Sequence, residues 1–416
     1  MSAGDDLDVG GRGPVGEQVE LPSVGTGRRF RRRQERDLAR RRRRASIVAV
    51  IVLVASVLGT YAVLRPLFDD DEEAADPDVT GAEEVEVAAD PTPKALLVQV
   101  DDDGALVAAT VAVVDGTGRG GGVVFIPASS LLDVPSFGLE TLTGAYENDG
   151  IDLVGLTIEN LLGVSFDHVA LVDDSSWAEL VGEAAPLQVE NPNPIETVDD
   201  GRIIVTLDAG PAQLTADEVG DFLSARSTDE PDLNRLLRHD VVWRAWLEGL
   251  SAIDYPIADV RADLQAFFHA LADGPVDYRL LPVETISGTG ADTQYEPVTD
   301  EIDELVGEFA PDAVAGANRR IRVQLLNGAG TPGLAPTATD LLVPAGARID
   351  LRDNARTFDY GVTQFVYYRD EQRQAAERLR DALGLGEVVR DRNPIDVVDV
   401  TVVLGRDFVD RYIEGG

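Results

Sequence analysis

Apolar positions along the chain form one long uninterrupted run and many shorter patterns. Residues 45–64 (ASIVAVIVLVASVLGTYAVL) contain no charged side chain. A helix of that length spans about 30 Å, the thickness of a bilayer's hydrocarbon core. The run therefore predicts a transmembrane helix, with a buried core helix as the alternative. Beyond residue 93 the apolar runs are short, as in a folded α/β protein.

Strand-like and helix-like patterns alternate from residue 94 onward. Continuous apolar runs predict buried strands at ALLVQV (95–100), LVAATVAVVD (106–115), VVFIP (123–127) and HVALVD (168–173). Helical patterns predict helices at 152–163, 174–182, 215–225 and 233–250. Thr215 and Glu218 form a capping box at the start of the third helix. TGRGGG (117–122) predicts a hairpin turn rather than a phosphate loop, because it lacks a Gly-Lys-Ser/Thr ending.

A second unit with similar alternation begins near residue 319. Its predicted strands are IRVQLLNG (321–328), RIDLRDN (348–354), TQFVYYR (363–369) and DVTVVLG (399–405), and EQRQAAERLRDALG (371–384) predicts a helix. The fold class predicted from both units is a mixed α/β sandwich followed by a smaller α/β domain. The Gly-rich turn after Asn327 resembles an anion-binding strand-to-helix turn, but tight packing explains it better.

These patterns divide the chain into six segments. We predict a basic, disordered cytoplasmic tail at 1–44, a transmembrane signal anchor at 45–68, an acidic linker at 69–93, a first domain at 94–290, a second linker at 291–318 and a C-terminal domain at 319–410. The first linker opens with five consecutive acidic residues, and their mutual repulsion favours an extended spacer.

The charges that flank the apolar run predict its orientation. Eleven Arg lie within residues 28–44, whereas acidic residues follow the run. Because cytoplasmic flanks carry the excess of Arg and Lys, the N-terminus is expected in the cytoplasm. The basic leader of 44 residues is too long for an ordinary cleaved signal peptide. We therefore expect a single-pass protein of the cell membrane with most of its mass outside the cell.

Overall charge and composition exclude several classes of function. The net charge is −39, and such an acidic body repels nucleic acid. The chain has no Cys, which excludes disulfides, thiolate metal sites and cysteine nucleophiles. His168, His239 and His269 are scattered and do not have metal-ligand spacing. The preference for Arg over Lys is typical of a GC-rich genome and points toward an actinobacterial cell wall.

Two groups of residues are candidates for chemistry. Arg235 and Arg238 are three residues apart and share one face of the predicted helix, where they either bind phosphate or pair with acidic neighbours. Asp101, Asp102 and Asp103 follow the first strand, where they either bind a hard cation or form a solvated turn.

The first unit resembles the LytR–CpsA–Psr (LCP) family in the order and spacing of its motifs. The matching stretches are VVFIPASSLLDVPSFG (123–138), LTGAYENDG (142–150), LTIENLLGVSFDHVALVD (156–173), LDAGPAQLTADEVGDFLSAR (207–226) and DLNRLLRHDVVWRAWLEGL (232–250). The second unit resembles the LytR C-terminal domain at VQLLNGAGTPGLA (323–335), RIDLRDN (348–354), YGVTQFVYY (360–368) and DVTVVLGRDF (399–408).

The resemblance implies an envelope protein that transfers glycopolymers from polyprenyl-pyrophosphate carriers onto the cell wall. In that chemistry, guanidinium groups grip the pyrophosphate through planar forks. Carboxylates hold a divalent cation, Mg in an active member, which neutralises charge on the departing phosphate.

Several family motifs are altered in this chain. The Gly-Arg-Ser-Asp-Thr motif aligns with GALVA (104–108) and the Ile-Pro-Arg-Asp motif with IPAS (126–129), so both lack their Arg and Asp. Three Arg persist at motif positions and are the candidates for pyrophosphate binding: Arg226, Arg235 and Arg238. No catalytic residue is assigned. Asp101, Asp102 and Asp103 are the candidates for a replacement metal site.

Three hypotheses follow from the altered motifs. The first is a pseudoenzyme that binds a polyprenyl-phosphate lipid or wall glycopolymer without ligase turnover. The second is an active Mg-dependent phosphotransferase that attaches glycopolymers to peptidoglycan. The third is a structural envelope anchor for a protein partner. Magnesium dependence separates the second from the others, and lipid binding separates the first from the third.

Overall fold

The computed structural model describes residues 92–199, 202–257, 259–311, 313, 320–393 and 397–415. The predicted tail, transmembrane anchor and nearly all of the acidic linker lie outside the described residues. Among the helices that the structure describes, none has the length and apolar character needed to cross a bilayer.

The first domain contains thirteen strands and six helices among the described residues. The strands are β1 (Lys94–Val100), β2 (Leu106–Val114), β3 (Gly121–Pro127), β4 (Leu131–Val134), β5 (Gly138–Thr141), β6 (His168–Val172), β7 (Leu187–Asn191), β8 (Ile195–Asp199), β9 (Arg202–Leu207), β10 (Gly210–Leu214), β11 (Val276–Leu280), β12 (Val283–Ser287) and β13 (Gln294–Pro297). The helices are α1 (Leu142–Leu162), α2 (Asp174–Val181), α3 (Ala216–Ser224), α4 (Asp232–Ser251), α5 (Leu264–Ala272) and α6 (Thr299–Phe309).

A five-stranded sheet in the order β11-β3-β2-β1-β6 divides the first domain into two cores. Strand β1 pairs antiparallel with β2 and parallel with β6. Leu97 faces the core formed with α2 to α5, while Leu96 faces the core formed with α1 and α6. Burial on both faces explains why these strands are continuously apolar in sequence. The predicted strands and the hairpin turn between β2 and β3 are confirmed.

Helix α1 begins earlier than its sequence pattern indicates. The predicted helix, 152–163, is the second part of a longer element that starts at Leu142 and kinks at Asp149 and Gly150. Gly150 has a positive φ of 66°, which a glycine adopts without strain. The hydroxyl of Thr141 accepts a hydrogen bond from the Gly144 N–H at 3.0 Å and caps the first part. The prediction recovered only the part after the kink.

The prediction of a linker over 291–318 is corrected by the structure. Strand β13 and helix α6 lie within this range, and Ile302 and Leu305 are buried in the first domain's core. The acidic composition misled the prediction, because α6 is amphipathic and carries its acidic residues, such as Glu304, on the exposed side. Residues 312 and 314–319 lie outside the described part of the chain.

The second domain is a smaller sheet with helices. Its strands are β14 (Ile321–Asn327), β15 (Ala347–Asn354), β16 (Gln364–Tyr367), β17 (Glu387–Arg390) and β18 (Val400–Leu404), and its helices are α7 (Leu334–Leu342), α8 (Arg373–Leu383) and α9 (Arg406–Tyr412). The strand order is β15-β14-β18-β16-β17, with β14 parallel to both neighbours. The predicted alternation of strands and helices is confirmed. Gly328 has no room for a side chain, since a Cβ would lie 2.7 Å from Val403 Cγ1, so packing explains this turn.

Side chains of the first domain cover the edge strand β15 of the second. Asn160 on α1 donates through Nδ2 to the Ile349 carbonyl at 2.8 Å and accepts from the Ile349 N–H at 3.0 Å. Ser136 donates its N–H to the Asp350 carbonyl at 2.9 Å. An uncovered edge strand invites pairing with other chains. Here the amide of Asn160 takes the place of a neighbouring strand and joins the two domains.

Candidate functional site

The three predicted arginines lie together where α3 ends and α4 begins. Arg226 follows the end of α3, while Arg235 and Arg238 are one turn apart on α4. Pro231 directly precedes α4, where its missing N–H costs no helical hydrogen bond. Residues Arg235 and Arg238 are only 5% and 0% exposed, respectively, so both point into the protein. We call these three residues the arginine cluster.

The carboxylate of Asp232 joins two of these arginines. Its Oδ1 atom accepts hydrogen bonds from Nη2 of Arg226 and Nη2 of Arg235, each at 3.0 Å. Its Oδ2 atom accepts from the Ser129 N–H at 2.9 Å. Ser129 occupies the position of the family motif's Asp, so the altered motif segment packs against this carboxylate.

A second carboxylate neutralises Arg238. Nη1 and Nη2 of Arg238 donate to the two carboxylate oxygens of Glu230 at 2.8 and 3.1 Å, and Nη2 also contacts the Ala225 carbonyl. This planar fork is among the strongest side-chain pairings. Arg226 retains 36% exposure of its side chain. It is therefore the member of the cluster that a ligand can reach most easily.

Burial and charge also determine the protonation of the neighbouring His239. Burial, together with the charges of Arg235 and Arg238, lowers the pKa of His239 to about 3. Burial lowers the pKa of Arg235, and Asp232 opposes this effect. The imidazole is consequently neutral near pH 7 and adds no charge to the cluster. The net charge of three guanidinium groups and two carboxylates is one positive charge.

The structure separates the three predicted metal ligands. Oδ1 of Asp101 accepts hydrogen bonds from the N–H groups of Asp103 and Ala105 at 3.1 and 2.8 Å, so Asp101 stabilises the turn between β1 and β2. Asp102 instead lies beside Asp174 and Asp221, and oxygens of these three residues all lie within 4.8 Å of one another. Only Asp102 of the predicted three joins this group, which we call the acidic cluster.

Sequence reasoning missed the two partners of Asp102. Asp174 begins α2 and Asp221 lies on α3, so both are far from Asp102 in sequence. Burial, with the charges of Asp102 and Asp221, raises the pKa of Asp174 to about 6. Three carboxylate oxygens at this spacing suit a hard divalent cation such as Mg²⁺, which would neutralise their repulsion.

Aromatic side chains fill the space between the large sheet and helices α2, α4 and α5. The ring centroids of Trp243 and Trp246 are 5.1 Å apart, and those of Trp246 and Phe268 are 4.7 Å apart. Trp177 contacts both tryptophans edge to face. A mostly apolar pocket of about 340 Å³ opens beside Trp246 and Phe268. The protein's own aromatic side chains thus fill most of this space, and the pocket is the part that stays open.

Comparisons with known proteins match both domains. Residues 111–254 match the model of the LytR_cpsA_psr family. Residues 320–408 match the model of LytR_C, described as a LytR cell envelope-related transcriptional attenuator. No curated protein matches the chain.

Several solved structures are similar to about half of this chain. TagV from B. subtilis is 16% identical with a TM-score of 0.43, and the match covers 53% of this chain and 97% of TagV. TagT from B. subtilis is 18% identical with a TM-score of 0.41, and covers 57% of this chain and 93% of TagT. A structure of TagT with bound octaprenyl pyrophosphate lipid is 18% identical with a TM-score of 0.40, and covers 53% of this chain and 89% of that one.

The two family matches occur in the order that the motifs predicted: the first lies within the first domain, and the second contains all five strands of the second domain's sheet. Residues 111–254 therefore belong to a domain of the LytR–CpsA–Psr family, and a LytR C-terminal domain follows at residues 320–408.

Proposed function

We propose that this chain is a membrane-anchored, extracytoplasmic protein of cell-envelope assembly that binds a polyprenyl-linked glycopolymer or wall glycan without transferring it. The apolar run at 45–64 and its basic flank support the anchor and its orientation. The observation that carries the absence of transfer is the internal pairing of the arginine cluster by Asp232 and Glu230.

Transfer requires cationic groups that stabilise the negative charge which develops on the leaving phosphate. The guanidinium group of Arg238 is buried and already forked onto Glu230, so it is not available to a substrate. Ala128 and Ser129 stand where the family motif has Arg and Asp, and neither side chain can supply a positive charge or a metal ligand of that kind. The chain would therefore bind the polyprenyl-linked polymer without transferring it.

Binding itself depends on the exposed part of the cluster. Arg226 is partly exposed, and the cluster retains one net positive charge. An anionic headgroup would therefore approach Arg226, while an apolar tail could use the pocket beside Trp246. The single accessible guanidinium predicts weaker binding than a set of converging arginines provides.

The first experiment measures polyprenyl-phosphate binding by the purified full-length chain with and without Mg²⁺. Arg226→Gln should weaken binding about tenfold, since a charge-assisted hydrogen bond contributes roughly 1.5 kcal/mol. Arg244→Gln on helix α4 is the control, because Arg244 lies outside the arginine cluster and pairs with Asp240 at an exposed position. If neither substitution changes the affinity for polyprenyl phosphate, the assignment of Arg226 as the binding residue is refuted.

The acidic cluster supports a second candidate, an active Mg-dependent phosphotransferase. The ion would be held by Asp102, Asp174 and Asp221. A bound Mg²⁺ would neutralise the charge of the phosphate. Polymer transfer that requires Mg²⁺ and is lost in Asp221→Asn would establish this candidate and overturn the first. If the lipid binds under no condition, the structural anchor with a protein partner is the remaining proposal.

A further inference from the structure

Strands β8 and β9 form a hairpin that is separate from the two large sheets. Among the described strands they pair only with each other, in an antiparallel arrangement. The base of the hairpin is fixed, because Ile195 is buried in the core and its carbonyl accepts a hydrogen bond from the Thr206 hydroxyl at 3.0 Å. The chain after the arginine cluster's Arg226 also holds β8, since Thr228 donates its N–H to the Glu196 carbonyl at 3.1 Å.

Beyond this base, the hairpin exposes apolar side chains on both faces. Val198, Ile203, Ile204 and Val205 are each between 44% and 68% exposed. Ile203 and Ile204 are consecutive in β9, so their side chains point to opposite faces of the ribbon. Val198 lies opposite Ile203 in the ladder. Single exposed apolar residues are common on protein surfaces, but four on one ribbon form a patch that is typical of an interaction site.

Strand β9 also has an open edge. Its neighbour is β8 on one side, so alternate N–H and C=O groups of β9 point away from the ribbon on the other side. These groups form no hydrogen bond with other residues that the structure describes. An open apolar edge is a template for pairing with a further strand. A two-stranded ribbon is only marginally stable in water, and additional strands stabilise it.

A β-strand fits this surface better than a lipid bilayer does. In hydrocarbon, the outward N–H and C=O groups of β9 would lose their hydrogen bonds to water without gaining new ones. A strand from another molecule would satisfy these groups and also cover the side chains of Ile203 and Val205. The open edge and the apolar patch therefore indicate the same kind of partner.

The sequence of β9 is complementary to itself in an antiparallel arrangement. If Ile204 lies opposite Ile204 of a second copy, Ile203 of each copy lies opposite Val205 of the other, and such β-branched pairs stabilise sheets. These residues belong to the regular part of the β8–β9 ladder, because its register shift lies beyond Val205. Arg202 then lies diagonally across from Asp208 of the other copy, within reach of its long side chain. Both residues are exposed.

We propose that β9 pairs with β9 of a second copy of this chain and joins the two hairpins into a four-stranded antiparallel sheet. The interface is isologous, because the same strand of each copy contributes to it about a two-fold axis. The net charge of −39 makes two copies repel each other, but β9 contains Arg202 and no acidic residue. The proposal does not depend on the proposed function, since it requires neither lipid binding nor a metal ion.

The test is disulfide cross-linking of the full-length chain, which has no Cys of its own. Ile204→Cys places one thiol at the two-fold axis, where directly opposed residues have the Cα separation of a disulfide. Ile286→Cys is the matched control, because Ile286 is 45% exposed on β12, which also belongs to a two-stranded sheet. The measurement is the rate of covalent dimer formation with diamide as oxidant, followed on non-reducing gels.

Charge variants in the Ile204→Cys chain test the register. Arg202→Asp and Asp208→Arg each place like charges across the two-fold axis, whereas the double variant restores opposite charges. Each single variant should slow cross-linking about tenfold, because like charges that face each other across an interface weaken it. The double variant should recover the rate of the Ile204→Cys chain.

Sedimentation of the native chain provides a measurement that needs no new thiol. Its mass should rise toward that of a dimer as the protein concentration increases, and Ile203→Glu should remain monomeric. We also expect Ile204→Cys to cross-link about tenfold faster than Ile286→Cys. Equal rates at these two positions, or a double charge variant no faster than the single ones, would overturn the proposal. It would equally be overturned by a native chain that stays monomeric or by a dimer that persists in Ile203→Glu.

Discussion

Helix α3 contributes to both charged clusters, but the two clusters differ in how their charges are balanced. Arg226 follows its C-terminus and belongs to the arginine cluster, whose guanidinium groups are paired with Asp232 and Glu230. Asp221 on its surface belongs to the acidic cluster, where like charges face one another. Removal of one partner from a buried ion pair destabilises the native state, whereas like charges side by side destabilise it unless a ligand neutralises them.

The arginine cluster therefore has a structural role, whereas the acidic cluster is a candidate for a functional one. Residues that resemble a phosphate-binding motif have become part of the buried framework that joins α3 to α4. The acidic cluster forms no ion pair with a described Arg or Lys side chain and is the candidate cation site. Three substitutions test this contrast, and a fourth tests a buried carboxyl group outside both clusters.

The largest effect is expected from Glu230→Gln. The substitution leaves Arg238, which is fully buried, without its carboxylate partner. Removal of one partner from a buried ion pair costs about 3–5 kcal/mol in the free energy of unfolding. The measurement is urea unfolding at pH 7, with Asp240→Asn as the matched control because its pair with Arg244 is exposed. The control should lose less than about 1 kcal/mol, and similar losses in both variants would contradict the contrast.

A smaller loss is expected from Asp232→Asn. The amide oxygen can still accept the Ser129 N–H, but the charge that neutralises Arg226 and Arg235 disappears. Because Arg226 is partly exposed, mainly the interaction with Arg235 is lost, at about 2 kcal/mol. The same urea measurement applies. An unchanged midpoint would mean that Asp232 acts only through the Ser129 hydrogen bond.

In contrast, Glu159→Gln at the domain boundary is expected to increase the free energy of unfolding. Burial, with the charge of Asp340, raises the pKa of Glu159 well above its usual range. A raised carboxyl pKa in the folded state means that folding stability falls as pH rises above the ordinary value of 4.5. The variant should therefore gain about 1 kcal/mol at pH 8 and little at pH 4. The measurement is the free energy of unfolding of the native chain and of Glu159→Gln at both pH values. The same pH dependence in the two proteins would contradict the prediction.

The smallest effect on stability is expected from Asp174→Asn in the acidic cluster. The pKa of Asp174 is raised to about 6 from 3.8, so its destabilising contribution develops as pH rises between these values. Solvent screening reduces the gain in the variant to roughly 0.5 kcal/mol at pH 8. Thermal unfolding with and without Mg²⁺ adds a second readout. If the cluster binds the ion, Mg²⁺ should raise the melting temperature of the native chain but not of Asp174→Asn.

Much of the fold was predictable because its elements have strong local patterns. The buried strands β1, β2 and β3 are continuously apolar, and the capping box at Thr215 marks the start of α3. The prediction failed for α6, where acidic residues on one face concealed an apolar face. The first part of α1 was missed because the kink at Gly150 interrupts the helical pattern.

The candidate sites were less predictable than the fold. Motif order identified Arg226, Arg235 and Arg238, and the structure brings all three together. Pairing with acidic neighbours was one of the two alternatives for Arg235 and Arg238, but the partners Asp232 and Glu230 were not identified, because a sequence pattern does not show which charges meet in three dimensions. The acidic cluster illustrates the same limit, since its members come from a turn and two separate helices.

The sequence by itself determined the family, the two α/β domains and the positions of the retained arginines, because periodicity and motifs are local properties. Only the tertiary structure decided how charges are balanced: Asp232 and Glu230 neutralise the arginines, while Asp102, Asp174 and Asp221 repel one another. It also decided that Asn160 covers the edge of β15 and that Nε and Nη1 of Arg320 are buried without an acceptor among the described residues. These contacts join residues distant in sequence, and their energies depend on burial, which the packed chain alone defines.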